Sequence, residues 1–201
     1  VGDIMGKPGR QCVKELLPGL REEFQPHAVI LNGENAAGGK GLTKKIYDYF
    51  IDTLNVDALT MGNHWHDKPE IFDFVDNAQR IVLPANMQNV SDPTMGLKLI
   101  ELADGQTIAV INLIGRVFMH GKNRCPFEAA DKLLDRVPSH VKVRVVDFHG
   151  EASSEKQGLA HYLAGRISLF YGTHTHTPTA DERILRTAKG ATGFATDLGM
   201  T

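Results

Sequence analysis

An α/β fold on a mostly parallel sheet is predicted by two features of this 201-residue chain. Short apolar runs alternate with stretches of helical periodicity, the pattern of βαβ units. Asp3, Glu34 and Asn63 also recur at steps of 31 and 29 residues, close to the length of such a unit.

The runs come first. Val1-Gly2-Asp3 is the end of one. Ala28-Val29-Ile30-Leu31, Ala58-Leu59-Thr60-Met61, Val143-Arg144-Val145-Val146 and Ile167-Ser168-Leu169-Phe170-Tyr171 are the others, each read as a strand of one sheet. Between them, a helix is predicted over Pro8–Phe24, with Val13, Leu16, Leu17, Leu20 and Phe24 on its inward face and a kink or split at Pro18. A second fits Thr43–Leu54. A third follows Asp67 as N-cap, with Ile71, Phe72 and Val75 inward. Leu97–Leu102 and Thr107–Leu113 flank Ala103-Asp104-Gly105-Gln106 and read as a hairpin. Helices then fit Pro126–Val137 and Ser153–Leu163, while Asn86–Gly96 is a polar loop able to approach a site.

Composition sets bounds. Hydrophobic residues make up 42% and charged residues 23%, an ordinary globular balance. A net charge of -2 offers duplex nucleic acid no basic face. Cys12 and Cys125 have neither metal-ligand spacing nor a disulfide framework, and read as buried or half-buried thiols of a reducing cytoplasm. No run approaches the ~18 apolar residues of a membrane span, and no signal peptide is visible. The expectation is one domain over residues 1–201, cut at both ends, because only Val1 precedes the first turn and the chain stops straight after Asp197-Leu198-Gly199-Met200-Thr201.

The chemistry lies where the runs end. In open α/β sheets, ligands bind outside the carboxyl ends of the strands. These tips read Asp3, then Asn32-Gly33-Glu34-Asn35, then Gly62-Asn63-His64, then Asp147-Phe148-His149, then Gly172-Thr173-His174-Thr175-His176. Carboxylates, amide carbonyls and imidazoles together suit two transition-metal ions. Taken singly, each histidine is more often a hydrogen-bonded structural residue. Three at strand tips, two of them spaced His-x-His, reverse those odds. Asp147 and Asp197 are candidates to orient the imidazoles from behind. His64, beside the Asn63 amide, is the candidate acid catalyst, since imidazole side chains as a class titrate near neutrality. His66 is read as structural, and His27, His120, His140 and His161 as surface or packing residues. The glycines after Glu34 fail the phosphate-loop pattern, since Gly39 stands where it needs Lys, and they read as a tight turn.

The order Gly-Asp, Gly-Glu-Asn, Gly-Asn-His, His, Gly-Thr-His-x-His resembles the calcineurin-like metallophosphoesterase superfamily. Asn32–Ala37, Met61–His64, Asp147–His149, Gly172–His176 and Asp197–Thr201 resemble its bacterial YmdB-like phosphodiesterase branch over almost the whole chain. The resemblance implies a layered sandwich of mixed, mostly parallel β-sheet flanked by helices, with a metal site at the carboxyl ends of the strands. It implies a metal-dependent phosphodiesterase acting on cyclic nucleotides, of the 2′,3′-cyclic type, by attack of a metal-bridging hydroxide. The metals expected are iron or manganese, with zinc as the alternative. Asp3, Glu34, Asn35 and His176 would gather at one ion, and Glu34, Asn63, His149 and His174 at the other, with His64 over the phosphate. Two departures stand out. Met5 occupies the place of the superfamily's first-strand His, with Asn35 as substitute. Trp65 occupies the place of a carboxylate after the Asn-His pair, which leaves only Asp67 nearby. The expected partner is a small nucleotide diester, with no membrane, no duplex nucleic acid and a homo-oligomer left open. The rivals are a phosphomonoesterase or nucleotidase on the same metals and a nucleotide-sensing regulatory protein with little turnover.

Overall fold

The computed structural model describes residues 1–201. Its strands divide between two sheets where the sequence predicts one. Strands β1 (Ile30–Asn32), β2 (Ala58–Thr60) and β3 (Ile81–Val82) form a three-stranded parallel sheet. Strands β4 (Leu97–Glu101), β5 (Thr107–Ile114), β6 (Val143–His149), β7 (Leu169–Thr173), β8 (Arg183–Thr187) and β9 (Gly190–Ala195) form a six-stranded mixed sheet in the order β4-β5-β6-β7-β9-β8. Its centre is parallel, and each edge is an antiparallel hairpin.

The two sheets pack face to face. Alternation along a strand sends neighbouring side chains to opposite faces. Ala58, Val82, Ile108 and Val110 point into the space between the sheets and form one buried cluster. Leu31, Leu59 and Ile81 point the other way, onto α1 (Gly6–Phe24) and the segments after β1 and β2. Ile111, Leu113, Val146, Phe148, Phe170 and Phe194 point outward from the larger sheet onto α3 (Pro126–Leu134) and α4 (Ser153–Leu163). The result is a helix–sheet–sheet–helix sandwich, the layered α/β class expected.

The chain start is shared by both layers. Asp3 bridges Asn32, the last residue of β1 in the small sheet, and Met200, five residues past β9. This contact makes the strand tips of two separate sheets open onto one place.

Several local expectations need correction. Pro18 does not split α1, which runs unbroken for 19 residues. Its inward face is narrower than predicted. Val13 and Leu17 are buried with Gly6 and Gly9, whereas Leu16, Leu20 and Phe24 are exposed. The stripe is wide enough for two edges, and the sheet covers only one. The second helix is α2 (Lys44–Asp48), capped by Thr43 and followed by a π-helical turn over Tyr49–Thr53. The third collapses into 3₁₀ turns at Pro69–Asp73 and Val75–Asn77, capped by Lys68 and not by Asp67. Phe74 is buried there in place of Phe72. The β8–β9 hairpin and β3 were not predicted. Both are short, and β8 alternates weakly, with only Leu185 buried. The predicted β4–β5 hairpin and α4 match their observed bounds closely.

Candidate metal centre

Each predicted ligand reaches the site from a strand end. After β1 the chain turns through Gly33 to Glu34, whose N–H donates to Asn32 Oδ1 at 3.2 Å. Glu34 Oε2 accepts from the His64 backbone N–H at 3.1 Å, so the loop after β2 fixes the carboxylate after β1. Asn35 Nδ2 donates to Gly39 O at 3.0 Å. That leaves its Oδ1 facing His176 Nε2 at 3.3 Å.

His149 ends β6 and is fully buried. Its Nε2 has three close neighbours: Glu34 Oε1 at 3.1 Å, Asn63 Oδ1 at 3.0 Å and His174 Nδ1 at 3.1 Å. One ring nitrogen carries at most one proton and cannot satisfy three lone-pair donors. Such convergence is the donor chemistry of a cation site. Ligand atoms of Glu34, His149 and His174 all lie within 4.8 Å of one another, and so do those of Asp3, Glu34 and His176. Glu34 is common to both groups. Asp3 adds a second sign, since its Oδ1 is buried without a hydrogen-bond partner. Gly62 adds a third. A Cβ there would lie 2.3 Å from both Glu34 Oε2 and His149 Nε2, so only glycine leaves the cradle open.

The electrostatics reflect this crowding. Burial pushes Asp3 up to about 7, although His149 pulls the other way. Burial also acts to raise Glu34, but the His149 charge and hydrogen bond outweigh it and hold Glu34 near 2. His149 is the mirror case. Burial lowers it, and the charges of Glu34 and Asp3 win, lifting it to about 9. Burial, and then the charge of His149, push His174 down to about 4.

A polar layer between the sheets orients these groups. His149 Nδ1 lies 2.9 Å from Thr173 Oγ1, which donates to Asp147 Oδ1 at 2.7 Å. Asp147 is fully buried and also accepts from Thr60 and Asn32 of the small sheet. It therefore ties the two layers together directly behind His149. Asp197 holds no imidazole. It takes the buried Lys156 ammonium at 2.5 Å and the Thr175 hydroxyl at 2.8 Å. That pair anchors a strained loop, because His174 and His176 have φ of 98° and 62°. Left-handed backbone at residues other than glycine costs about 1–3 kcal/mol and collects at functional sites.

His64 Nδ1 lies 2.8 Å from Asp67 Oδ2, so the carboxylate three residues on orients the ring that Trp65 cannot. Residues passed over by sequence reasoning are Thr60 and Thr173, which carry the link to Asp147, and Lys156. A lysine inside a helix gives no signal of burial. His66 Nδ1 is buried without a partner, and His120 is exposed, as expected of a surface residue, on the wall of a cleft shared with His64. Cys12 and Cys125 are free and half-buried, as expected. No helix is long and apolar enough to cross a membrane.

A family model described as YmdB-like protein matches residues 1–201. A 2′,3′-cyclic-nucleotide 2′-phosphodiesterase of Bacillus subtilis is 48% identical over 201 residues, spanning all of this chain and 74% of that protein. A crystal structure of a hypothetical protein from Thermus thermophilus superposes with a TM-score of 0.86 at 38% identity, over 100% of this chain and 75% of that one. A crystal structure of a novel phosphatase from Mycoplasma pneumoniae superposes with a TM-score of 0.84 at 35% identity, over 99% and 70%.

Proposed function

The chain belongs to the YmdB-like protein family, and we propose from that premise that it is a metal-dependent phosphodiesterase that opens 2′,3′-cyclic nucleotides. The observation that carries the reading is the sharing of Glu34 between two groups of ligand atoms. Glu34, Asn63, His149 and His174 would hold one ion. Asp3, Glu34, Asn35 and His176 would hold the other. Iron or manganese is the preferred pair, since imidazole, amide and carboxylate donors suit both. When bound, two divalent cations neutralise the phosphate and make water a better nucleophile.

The protein's own groups do the rest. His149 donates through Nδ1 toward Thr173, which keeps its Nε2 lone pair aimed into the cluster. The Asp3 and Asp197 carboxylates hold the His174-Thr175-His176 loop by accepting its backbone N–H groups at 3.0 and 3.4 Å. His64 is held by Asp67 through Nδ1. Its Nε2 then delivers a proton to the ribose oxygen as the P–O bond breaks. The atoms balance: water gives its OH to phosphorus and its other proton to solvent, one P–O ester bond opens, the freed ribose oxygen takes the proton of His64, and solvent reprotonates His64.

The test is hydrolysis of 2′,3′-cyclic AMP, compared with 2′-AMP and 3′-AMP, by manganese-loaded protein with and without EDTA. Chelator-sensitive cleavage of the diester alone supports the proposal. Release of inorganic phosphate from the monoesters makes it a phosphatase. Two metals bound with no cleavage of either makes it a nucleotide sensor.

A further inference from the structure

Two clefts of similar size flank the sheets, and their linings differ sharply. One, of about 560 Å³, has nine hydrophobic residues among twelve and none of the clustered side chains. The other, of about 630 Å³, has one hydrophobic residue among eleven, Met87, and shares Asn63 and His64 with the cluster. Both volumes suit a small molecule, but only the second adjoins the chemistry.

The walls of this polar cleft are built in advance. One is the loop after β3, with Gln88 and Asn89. The other is the segment after β5, with His120 and Lys122. The buried Asn86 joins them. Its Nδ2 donates to Ile114 O at 2.7 Å and to Arg124 O at 2.9 Å, and its Oδ1 accepts from Ile114 N–H at 2.8 Å. Inside the cleft, Asn89 is fixed as well. Its Oδ1 accepts from Trp65 Nε1 at 3.2 Å, which leaves the Nδ2 donors free. The lining therefore offers oriented amides, the imidazoles of His64, His66 and His120, the Lys122 cation and the Asp67 carboxylate, groups that bind sugar hydroxyls and the edges of a base.

Stereochemistry places the ligand on the same side. In-line displacement puts the attacking water and the leaving oxygen on opposite faces of phosphorus. The leaving oxygen of a 2′,3′-cyclic phosphate belongs to the ribose. Its proton comes from His64, so the ribose and its base must lie on the His64 side. We propose that this cleft is the nucleoside subsite, with Asn89 and Gln88 reading the base and Lys122 drawing in the anionic substrate. The inference rests on the phosphodiesterase reading above.

The test uses the full chain loaded with manganese and the variants Asn89→Ala and Lys122→Ala. Lys122 is exposed, so its truncation leaves folding intact. The expected result is a rise in KM for 2′,3′-cyclic AMP of about tenfold in each, the size of one lost hydrogen bond or charge contact. Cleavage of bis(p-nitrophenyl) phosphate, which carries no nucleoside, should fall much less. Trp65 is the only tryptophan. Its fluorescence should respond to 3′-AMP in the parent protein and lose that response in Asn89→Ala. Equal losses on both diesters, or an unchanged KM for the cyclic nucleotide in both variants, would overturn the subsite while leaving the enzyme reading intact. A protein that cleaves neither diester, yet whose Trp65 signal titrates with 3′-AMP through Asn89 and Lys122, would overturn the enzyme reading and keep the subsite.

Discussion

The two halves of the ligand cluster answer the same problem, buried charge, in opposite ways. In the Glu34–His149–His174 half the protein supplies its own counter-ion. His149 sits 3.1 Å from Glu34, and each holds the other in its charged form. In the Asp3–Glu34–His176 half the counter-ion is more distant, since His149 Nδ1 stands 4.0 Å from Asp3 Oδ1. That oxygen is buried without a hydrogen-bond partner, and burial pushes the Asp3 carboxyl up to about 7. Its imidazole, His176, stands half-exposed on left-handed backbone. One half is thus organised by a proton that a cation must displace. The other is organised by an unmet need for positive charge.

The largest expected effect removes the contrast altogether. Glu34→Ala takes a ligand from both halves, so metal content measured by mass spectrometry should drop from two ions per chain to nearly none, with loss of turnover. Retention of one ion would show that Glu34 is not shared. Next come changes that separate the halves. Gly62→Ala drives a methyl into Glu34 and His149 and should empty the first half, as should His174→Ala. His176→Ala should spare it and leave about one ion bound. Loss of both ions from His176→Ala, or retention of both, would erase the distinction.

A smaller effect leaves the metals in place. His64→Ala should keep both ions and lose about 10²–10⁴-fold in turnover of a ribose ester. Asp67→Asn should lose less, and the loss should shrink for p-nitrophenyl esters, whose leaving group needs no proton. Full activity in His64→Ala would remove it from the mechanism.

The smallest effect is a linkage. His149 is raised from its ordinary 6.5 to about 9. The stability this gives the metal-free fold is complete below 6.5 and fades as pH rises through 9. Asp3 acts with the same sign at lower pH, since its rise from 3.8 to about 7 favours the fold below 3.8 and is lost through 7. Thermal unfolding of chelated protein should therefore show a falling Tm between pH 6 and 9. Metal binding at pH 7.5 should release protons, read from calorimetry in buffers of different ionisation enthalpy. Loading without proton release would mean that His149 is already neutral.

Much of the site was legible because its residue types are unusual at strand ends. Apolar runs that stop at Glu-Asn, Asn-His or His-x-His have little structural reason to do so repeatedly. Helices α1, α3 and α4 and the β4–β5 hairpin were legible from period and turn chemistry. Other features were not. Phe24 and Leu17 look alike in a helical pattern, yet one is exposed and the other buried, because a periodic stripe does not say which edge a sheet will cover. Asp67 looks like a helix cap, but the helix it would cap is replaced by 3₁₀ turns, and its carboxylate is free to take His64.

The sequence by itself determined the α/β class, the spacing of its units and the set of side chains with metal-ligand chemistry, since period and donor type are local properties. Only the tertiary structure decided that there are two sheets, that Asp147 ties them together and that Lys156 anchors the His-x-His loop. It also brings together ligands that the family resemblance grouped and local patterning did not: Asn35 faces His176 across 141 residues of chain, and Asn63 faces His149 across 86. Such pairings depend on how parallel crossovers stack one layer on another, and local patterning carries no record of that.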